Sequence, residues 1–239
     1  MMWLVLIIVG FIAGALSGSI GFGGGMILLP VITYFYGVEV AVPVSTIAQL
    51  MSNLSRMVFG WKEIQWKKAG WFLLTAAPLT ALGAAGFAIA PKIPMTRILG
   101  VALIIFAIIK LTGKIKLPQG KGTVLIGGGI TGVINGLLGI SGPLSSAVFM
   151  TLELTPVAYI ATEATAAAAM HIVKIIVYNK LALMNLNVFL NGFYIGLAMI
   201  AGNFLANRFI RVADKKKYKK VIAIFMIAVS LWLVIQTFM

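Results

Sequence analysis

The chain has 239 residues, of which 61% are hydrophobic and only 10% charged, with a mean hydropathy of +1.07; a soluble domain carries about 25% charged residues, so lipid must solvate most of this surface. The net charge is +14, but the basic residues sit in short runs between apolar stretches (Lys62, Lys67, Lys68; Lys110, Lys114, Lys116, Lys121; Arg208, Arg211, Lys215, Lys216, Lys217, Lys219, Lys220), which is the pattern of loops beside membrane spans and not of a nucleic-acid face. There is no cysteine, which excludes disulfides, thiolate metal sites and cysteine nucleophiles.

The apolar segments run over 3–18, 26–36, 40–60, 69–90 and 94–111, then over 122–137, 143–154, 157–179, 185–209 and 218–237. The first has no basic leader and no small-residue cleavage site, so it reads as a span and not as a signal peptide. Most of the longer segments approach the ~20 residues that cross a bilayer as a helix. The segments 26–36 and 143–154 are too short to cross comfortably, because a helix rises about 1.5 Å per residue. They read as half-helices or re-entrant arms, each following a glycine-rich break.

The order of elements repeats. Gly10, Gly14, Gly18, Gly21 and Gly24 recur as Gly128, Gly132, Gly136, Gly139 and Gly142, each displaced by 118 residues, and an internal repeat of this kind sets the architecture. The chain divides into a first repeat over 1–111, a polar linker over 112–121 and a second repeat over 122–239. Each repeat offers a glycine-broken helix with its short arm, followed by three transmembrane helices. In the first half the basic loops 61–68 and 110–121 fall on one side, whereas in the second half the basic loop is 208–220, at the position equivalent to the weakly charged 91–97. If basic loops are cytoplasmic, the two repeats have opposite topology, the linker is cytoplasmic and both termini lie outside. The fold expected is an all-α polytopic membrane protein of two inverted repeats, an architecture of secondary transporters in the cell membrane.

The breaks read Gly18-Ser-Ile-Gly-Phe-Gly-Gly-Gly25 and Gly136-Leu-Leu-Gly-Ile-Ser-Gly-Pro143. Irregular backbone at membrane depth must be buried in protein or line a wet cavity. A helix that starts there aims N–H groups and a positive dipole end at the cavity, which suits an anion. Gly21, Gly23, Gly24, Gly25, Gly139, Ser141 and Gly142 are therefore candidate binding positions. Gly10, Gly14 and Gly18, with Gly128, Gly132 and Gly136, are small residues at helical spacing and read as close packing between helices. Ser45, Gln49, Asn53 and Arg56 form one polar stripe, and the 118-residue displacement takes them to Glu163, Ala167, His171 and Lys174. Charged groups inside spans face the interior or a pathway, so Gln49, Asn53, Arg56 and Lys174 join the candidate site. The alternative for Arg56 and Lys174 is snorkelling to the interface. Glu163 and His171 are candidates for a coupled proton, His171 alternatively being an interior histidine held by a hydrogen bond. Glu163 lies too far from Lys174 along one helix to pair with it, so any partner comes from another helix. Glu39, Glu63, Glu153 and Asp214 fall at loop ends and read as solvated. No nucleophile–base pairing, metal spacing or phosphate loop is present, and neither an enzyme activity, a cofactor nor a metal is expected.

The segment Gly18-Ser-Ile-Gly-Phe-Gly-Gly-Gly-Met-Ile-Leu-Leu-Pro30 resembles the opening of the TauE/SafE sulfite exporter family, also called the toluene sulfonate uptake permease family, with a degenerate echo at 136–143. The resemblance covers essentially the whole chain, and Ser141 departs from it where the first repeat has Gly23. It implies secondary transport of small anions, sulfur oxyanions or sulfonates of the sulfite and sulfoacetate type. The alternatives are an anion channel, a small organic-acid permease, and, from another class, a membrane enzyme or accessory subunit. The partners expected are the anion, membrane lipid, a coupled proton or cation, and a second copy of the chain as a homodimer, with no nucleic acid. The swapped charge bias is tested by single cysteines, since the chain has none of its own. Cysteines at 64 and 214 are expected to label with a membrane-impermeant reagent from the same side, and labelling from opposite sides overturns the inverted arrangement.

Overall fold

A computed structural model describes residues 2–112 and 117–209 together with positions 231 and 235. Its elements are α1 (Met2–Ile20), α2 (Gly24–Tyr36), α3 (Val38–Phe59), a 3-10 turn (Trp61–Glu63), α4 (Trp66–Ile89), α5 (Lys92–Thr112), α6 (Lys121–Leu138), α7 (Gly142–Met150), α8 (Pro156–Lys180) and α9 (Leu186–Phe209). The described residues form no strand. Lys114, Lys116, the basic run from Arg211 to Lys220 with Asp214, and the tenth apolar segment at 218–237, apart from positions 231 and 235, lie outside the described residues.

Five of the described helices are long and apolar enough to cross a membrane: Met2–Ile20, Trp66–Ile89, Lys121–Leu138, Pro156–Lys180 and Leu186–Ala206. The protein is thus an all-α polytopic membrane protein. Large apolar side chains on the outer faces, such as Leu4, Ile8, Leu74, Leu82, Ile126 and Phe204, are exposed, as a lipid-facing surface requires. The two short arms are present. The second is shorter than the apolar segment 143–154, because α7 ends at Met150 and a turn follows. Helix α8 then begins conventionally, with Thr155 Oγ1 accepting from the Ala158 N–H at 3.3 Å and Pro156 in the first position, where its missing N–H costs nothing.

The helix starts at Gly24 and Gly142, and at Val38 and Pro156, are each 118 residues apart. Packing follows the same relation. Helix α1 packs on α9 and α6 on α4; α3 packs on α9 and α8 on α4; α3 and α8 pack on each other. Exchanging the halves maps this set of contacts onto itself. Each long helix that precedes a break thus packs mainly on a helix of the other half, and to a lesser extent on the short arm that follows it.

The glycine faces of α1 and α6 make this close approach possible. A Cβ at Gly14 would meet the Met199 Cα at 2.6 Å, and one at Gly132 would meet the Ala76 Cα at 3.0 Å, with carbonyl oxygens of the same residues closer still. Gly83 of α4 abuts Gly136 of α6, where a Cβ would be 3.0 Å from the Gly136 Cα. Backbone on backbone cannot yield as a flexible side chain can. Gly14→Ala and Gly132→Ala are each expected to lower stability by about 1–3 kcal/mol, the usual cost of overpacking. Gly70 of α4 has nothing within 4 Å of the position of a Cβ, and Gly70→Ala should be neutral or gain up to about 1 kcal/mol of helix propensity. Melting temperatures in detergent decide this, and an unchanged value for both tight positions refutes the contact.

Candidate functional site

Helices α1 and α6 end in the same way. The Gly21 N–H donates to Ser17 O and the Gly139 N–H to Asn135 O, both at 2.9 Å. Both glycines are left-handed, with φ of 84° and 74°, a conformation that a side chain disfavours. The second step of the break differs. Gly23 has φ of 102°, but its counterpart Ser141 has φ of −131°. A residue with a Cβ is allowed there, which is why the second repeat departs from glycine. The breaks then abut: a Cβ at Gly142 would lie 3.2 Å from Phe22 Cβ and 3.3 Å from Gly23 N.

A cavity of about 30 Å³ lies where they meet, room for a water or two. Gly23, Gly24, Gly25, Gln49, Asn53, Arg56, Ser141, Gly142, Glu163 and His171 all line it. So do Phe22, Ile140 and Ala167. Phe22 and Ile140, Gly23 and Ser141, Gly24 and Gly142, Gln49 and Ala167, and Asn53 and His171 are pairs related by the 118-residue displacement, so both halves of the chain supply the wall. The amino ends of α2 and α7 both face it. The first three N–H groups of a helix have no partner within it; in α2 these belong to Gly24, Gly25 and Met26, all in the cavity wall. Helix α7 offers less, because Pro143 has no N–H and the Leu144 and Ser145 N–H groups turn back to Ser141 O at 3.0 Å.

Arg56 and Lys174 do not reach an interface; they are 6% and 0% exposed. Snorkelling is thereby ruled out for both. Arg56 Nη1 donates to the carbonyl of Gly21, to Ser17 O at 3.4 Å and to Glu163 Oε2 at 3.4 Å, while Nη2 donates to Asn53 Oδ1. Glu163 finds the partners on other helices that its own helix cannot supply: Arg56 from α3, and Ser145 of α7, whose Oγ donates to Glu163 Oε1 at 2.7 Å. The structure keeps Lys174 apart from this cluster. Its Nζ is buried without a hydrogen-bond partner, 5.6 Å from the Tyr178 ring centroid and 3.6 Å from where a Cβ of Gly139 would stand. Gly21 and Gly139 do not line the cavity, yet their carbonyls are its fixed acceptors, the second receiving Gln49 Nε2 at 3.4 Å. His171 lines the cavity with Nδ1 unpartnered, so that nitrogen is not held by a hydrogen bond.

Sequence reasoning missed the support behind the site. Asn203 of α9 donates through Nδ2 to Ser52 O and Ser52 Oγ at 3.0 Å and to Ser55 Oγ at 2.8 Å, and its Oδ1 accepts from Ser17 Oγ at 3.1 Å. This ties α1, α3 and α9 together behind Arg56. Asn203 is one of four asparagines in α9, so the sequence did not single it out. Ser145, at the fourth position of the short arm, was the other omission.

A helical bundle in which two interrupted helices present their amino ends to a buried polar cavity is the architecture of a membrane transporter. The chain belongs to the sulfite exporter TauE/SafE family, whose family model matches residues 6–233. No curated protein and no solved structure matches it. The protein is therefore a multi-pass membrane protein of a transporter family.

The cavity leaves no room for added carbon. A Cβ at Gly24 would stand 2.9 Å from Met199 Cε and 3.1 Å from Ala13 O. Gly24→Val and Gly142→Val are expected to give folded protein of lowered melting temperature that no longer binds anions. Normal sulfite binding by either purified variant would remove the breaks from the site.

Proposed function

We propose that the protein is a secondary transporter of small anions, sulfur oxyanions or sulfonates, which it binds in the cavity between the two breaks. The observation that carries this reading is the convergence of two helix amino ends with the Arg56 guanidinium and the Gln49 and Asn53 amides on one buried cavity. N–H groups and a guanidinium recognise oxyanions. Gln49, Asn53 and Ser141 orient the oxygens. Lys174, one turn beyond His171, adds positive potential on the far side of the cavity.

Two clefts approach the cavity from the side of the 61–65 and 151–155 turns. One, of about 310 Å³, is lined by Ser19, Phe22, Glu153 and Tyr159; the other, of about 70 Å³, by Gly18, Arg56, Phe59 and Gly60. Phe22 lines both the cavity and the first cleft, and Arg56 both the cavity and the second. With the basic loops inside, these clefts are cytoplasmic, both termini are outside and the membrane is the cell membrane. The repeats are inverted, and access alternates as one rocks against the other.

Uptake and efflux of sulfite by proteoliposomes test the reading. Arg56→Ala and Lys174→Ala should each cut the rate at least about tenfold, equivalent to about 1.4 kcal/mol, at unchanged expression. Wild-type rates in both variants refute the role of the two charges. Accumulation against a sulfite gradient separates a coupled carrier from a channel, which only equilibrates the anion.

A further inference from the structure

Every contact that the structure gives the Arg56 amino groups is to the chain itself: two backbone carbonyls, the Asn53 amide and the Glu163 carboxylate. An anion that reaches the Arg56 amino groups meets these acceptors, while the Arg56 Nε–H has no partner of its own. The Gly21 and Ser17 carbonyls are fixed at the end of α1, and Asn53 is a neutral neighbour on the same helix. Glu163 is the acceptor that carries the same charge as the incoming anion. It is 2% exposed, so no solvent screens it from a second negative charge in the same cavity. A carboxylate and an oxyanion held at one guanidinium there repel each other.

The surroundings of Glu163 suit both its charged and its neutral form. Ser145 Oγ donates to the carboxylate at 2.7 Å. The same oxygen lies 3.2 Å from Ser141 O and 3.2 Å from Gly142 O. When Glu163 is a carboxylic acid, its O–H donates to Ser145 Oγ, and the serine hydrogen turns to one of those carbonyls. In either state the hydrogen bond between Glu163 and Ser145 is kept.

We propose that Glu163 is the proton carrier of this transporter: its carboxylate holds Arg56 while the cavity is empty, and the substrate anion takes its place as Glu163 gains one proton. The proposal rests on the anion-transport reading and deepens it. The anion and the proton enter together and leave together, and on release the carboxylate returns to Arg56. Among the described residues no other acid lines the cavity. Helix α3 presents Arg56, and α7 presents only the Ser145 hydroxyl. On α8 itself Tyr159 lies one turn before Glu163, and His171 and Lys174 lie two and three turns after it. From α4, Lys67 and Lys68 sit at the amino end, Lys68 on Leu152 O at 3.3 Å. Lys62 and Glu63 of the 3-10 turn are exposed, and the ionisable residue of α6, Lys121, is held over Trp71.

The test is the affinity of purified protein for sulfite and for methanesulfonate, the latter keeping its charge between about pH 6 and about pH 8, where an unperturbed carboxylic acid would be fully ionised. Wild type should bind methanesulfonate at least about tenfold more weakly at the higher pH. Glu163→Gln keeps the hydrogen bond to Ser145 but cannot compete for Arg56. It should bind with the same affinity at both pH values, at least about tenfold tighter than wild type at the higher one. For sulfite, whose own protonation is common to both proteins, the difference between variant and wild type reads Glu163. A wild-type pH slope in Glu163→Gln overturns the proposal and leaves the transport reading standing. If wild type binds neither anion at any pH and moves neither in proteoliposomes, the reading itself has failed. Should the variant not fold, calorimetry of wild type in two buffers of different ionisation enthalpy decides. Uptake of close to one proton per methanesulfonate bound supports the proposal, and none overturns it.

Discussion

Interrupting a helix inside lipid strands backbone carbonyls that have no water to turn to, and each must find a donor from the protein. Here both breaks are served by one helix. Arg56 donates to the carbonyl of Gly21 and Gln49 donates to that of Gly139, and both lie on the polar stripe of α3. The site exists because α3 runs past both interruptions. Its own position is fixed in turn by the Asn203 amide, which joins it to α9 and, through Ser17, to α1. Binding chemistry and backbone satisfaction are therefore the same set of contacts, and a substrate that engages Arg56 draws on a group that already has structural work.

Much of this was legible in the residues. Apolar length and glycine spacing located the helices and the two short arms, since lipid solvation and helical rise leave few alternatives. The small-residue faces were separable from the breaks because a packing glycine recurs every four residues and a break glycine does not. What the sequence could not convey was the pairing of Arg56 with Glu163. The displacement that relates the repeats takes Arg56 to Lys174 and Glu163 to Ser45, so it offers no hint that the two meet. Their contact depends on where α3 crosses α8, which is a property of packing and not of periodicity. The place of Lys174 has a similar cause. Equivalence put it in the candidate site with Arg56, but the carbonyl of the second break, Gly139 O, accepts from Gln49 and not from Lys174. Lys174 is left buried beside Tyr178.

The repeats thus share a backbone and differ in chemistry. Gly21 and Gly139 end their helices with the same left-handed turn and the same hydrogen bond, yet the walls on either side of the axis are unlike. One side has Phe22, Gln49, Asn53 and Arg56; the other has Ile140, Ala167 and His171, with Lys174 buried apart from them. Under the inverted topology proposed above, exchanging the conformations of the two halves would carry the cavity from one membrane face to the other without changing its outline. The charges that meet the anion would not be exchanged. An ion pair on one side and a lone amine on the other make the two sides chemically unequal.

Arg56 joins these levels. It holds the end of α1, balances the buried carboxylate of α8, and forms the wall between the cavity and the cleft beside Gly18 and Gly60. Each role constrains the others. If Glu163 carries the proton as proposed, then while it is ionised the guanidinium is held between α1 and α8 and the wall stays shut. Removing that charge leaves Arg56 with neutral acceptors alone, weaker partners than a carboxylate, and an anion then becomes the strongest acceptor within its reach. The wall can yield only when its charge is exchanged for another. A transporter needs that property, because a wall that opened with the site empty would leak, and one that stayed clamped with the site full would trap its cargo.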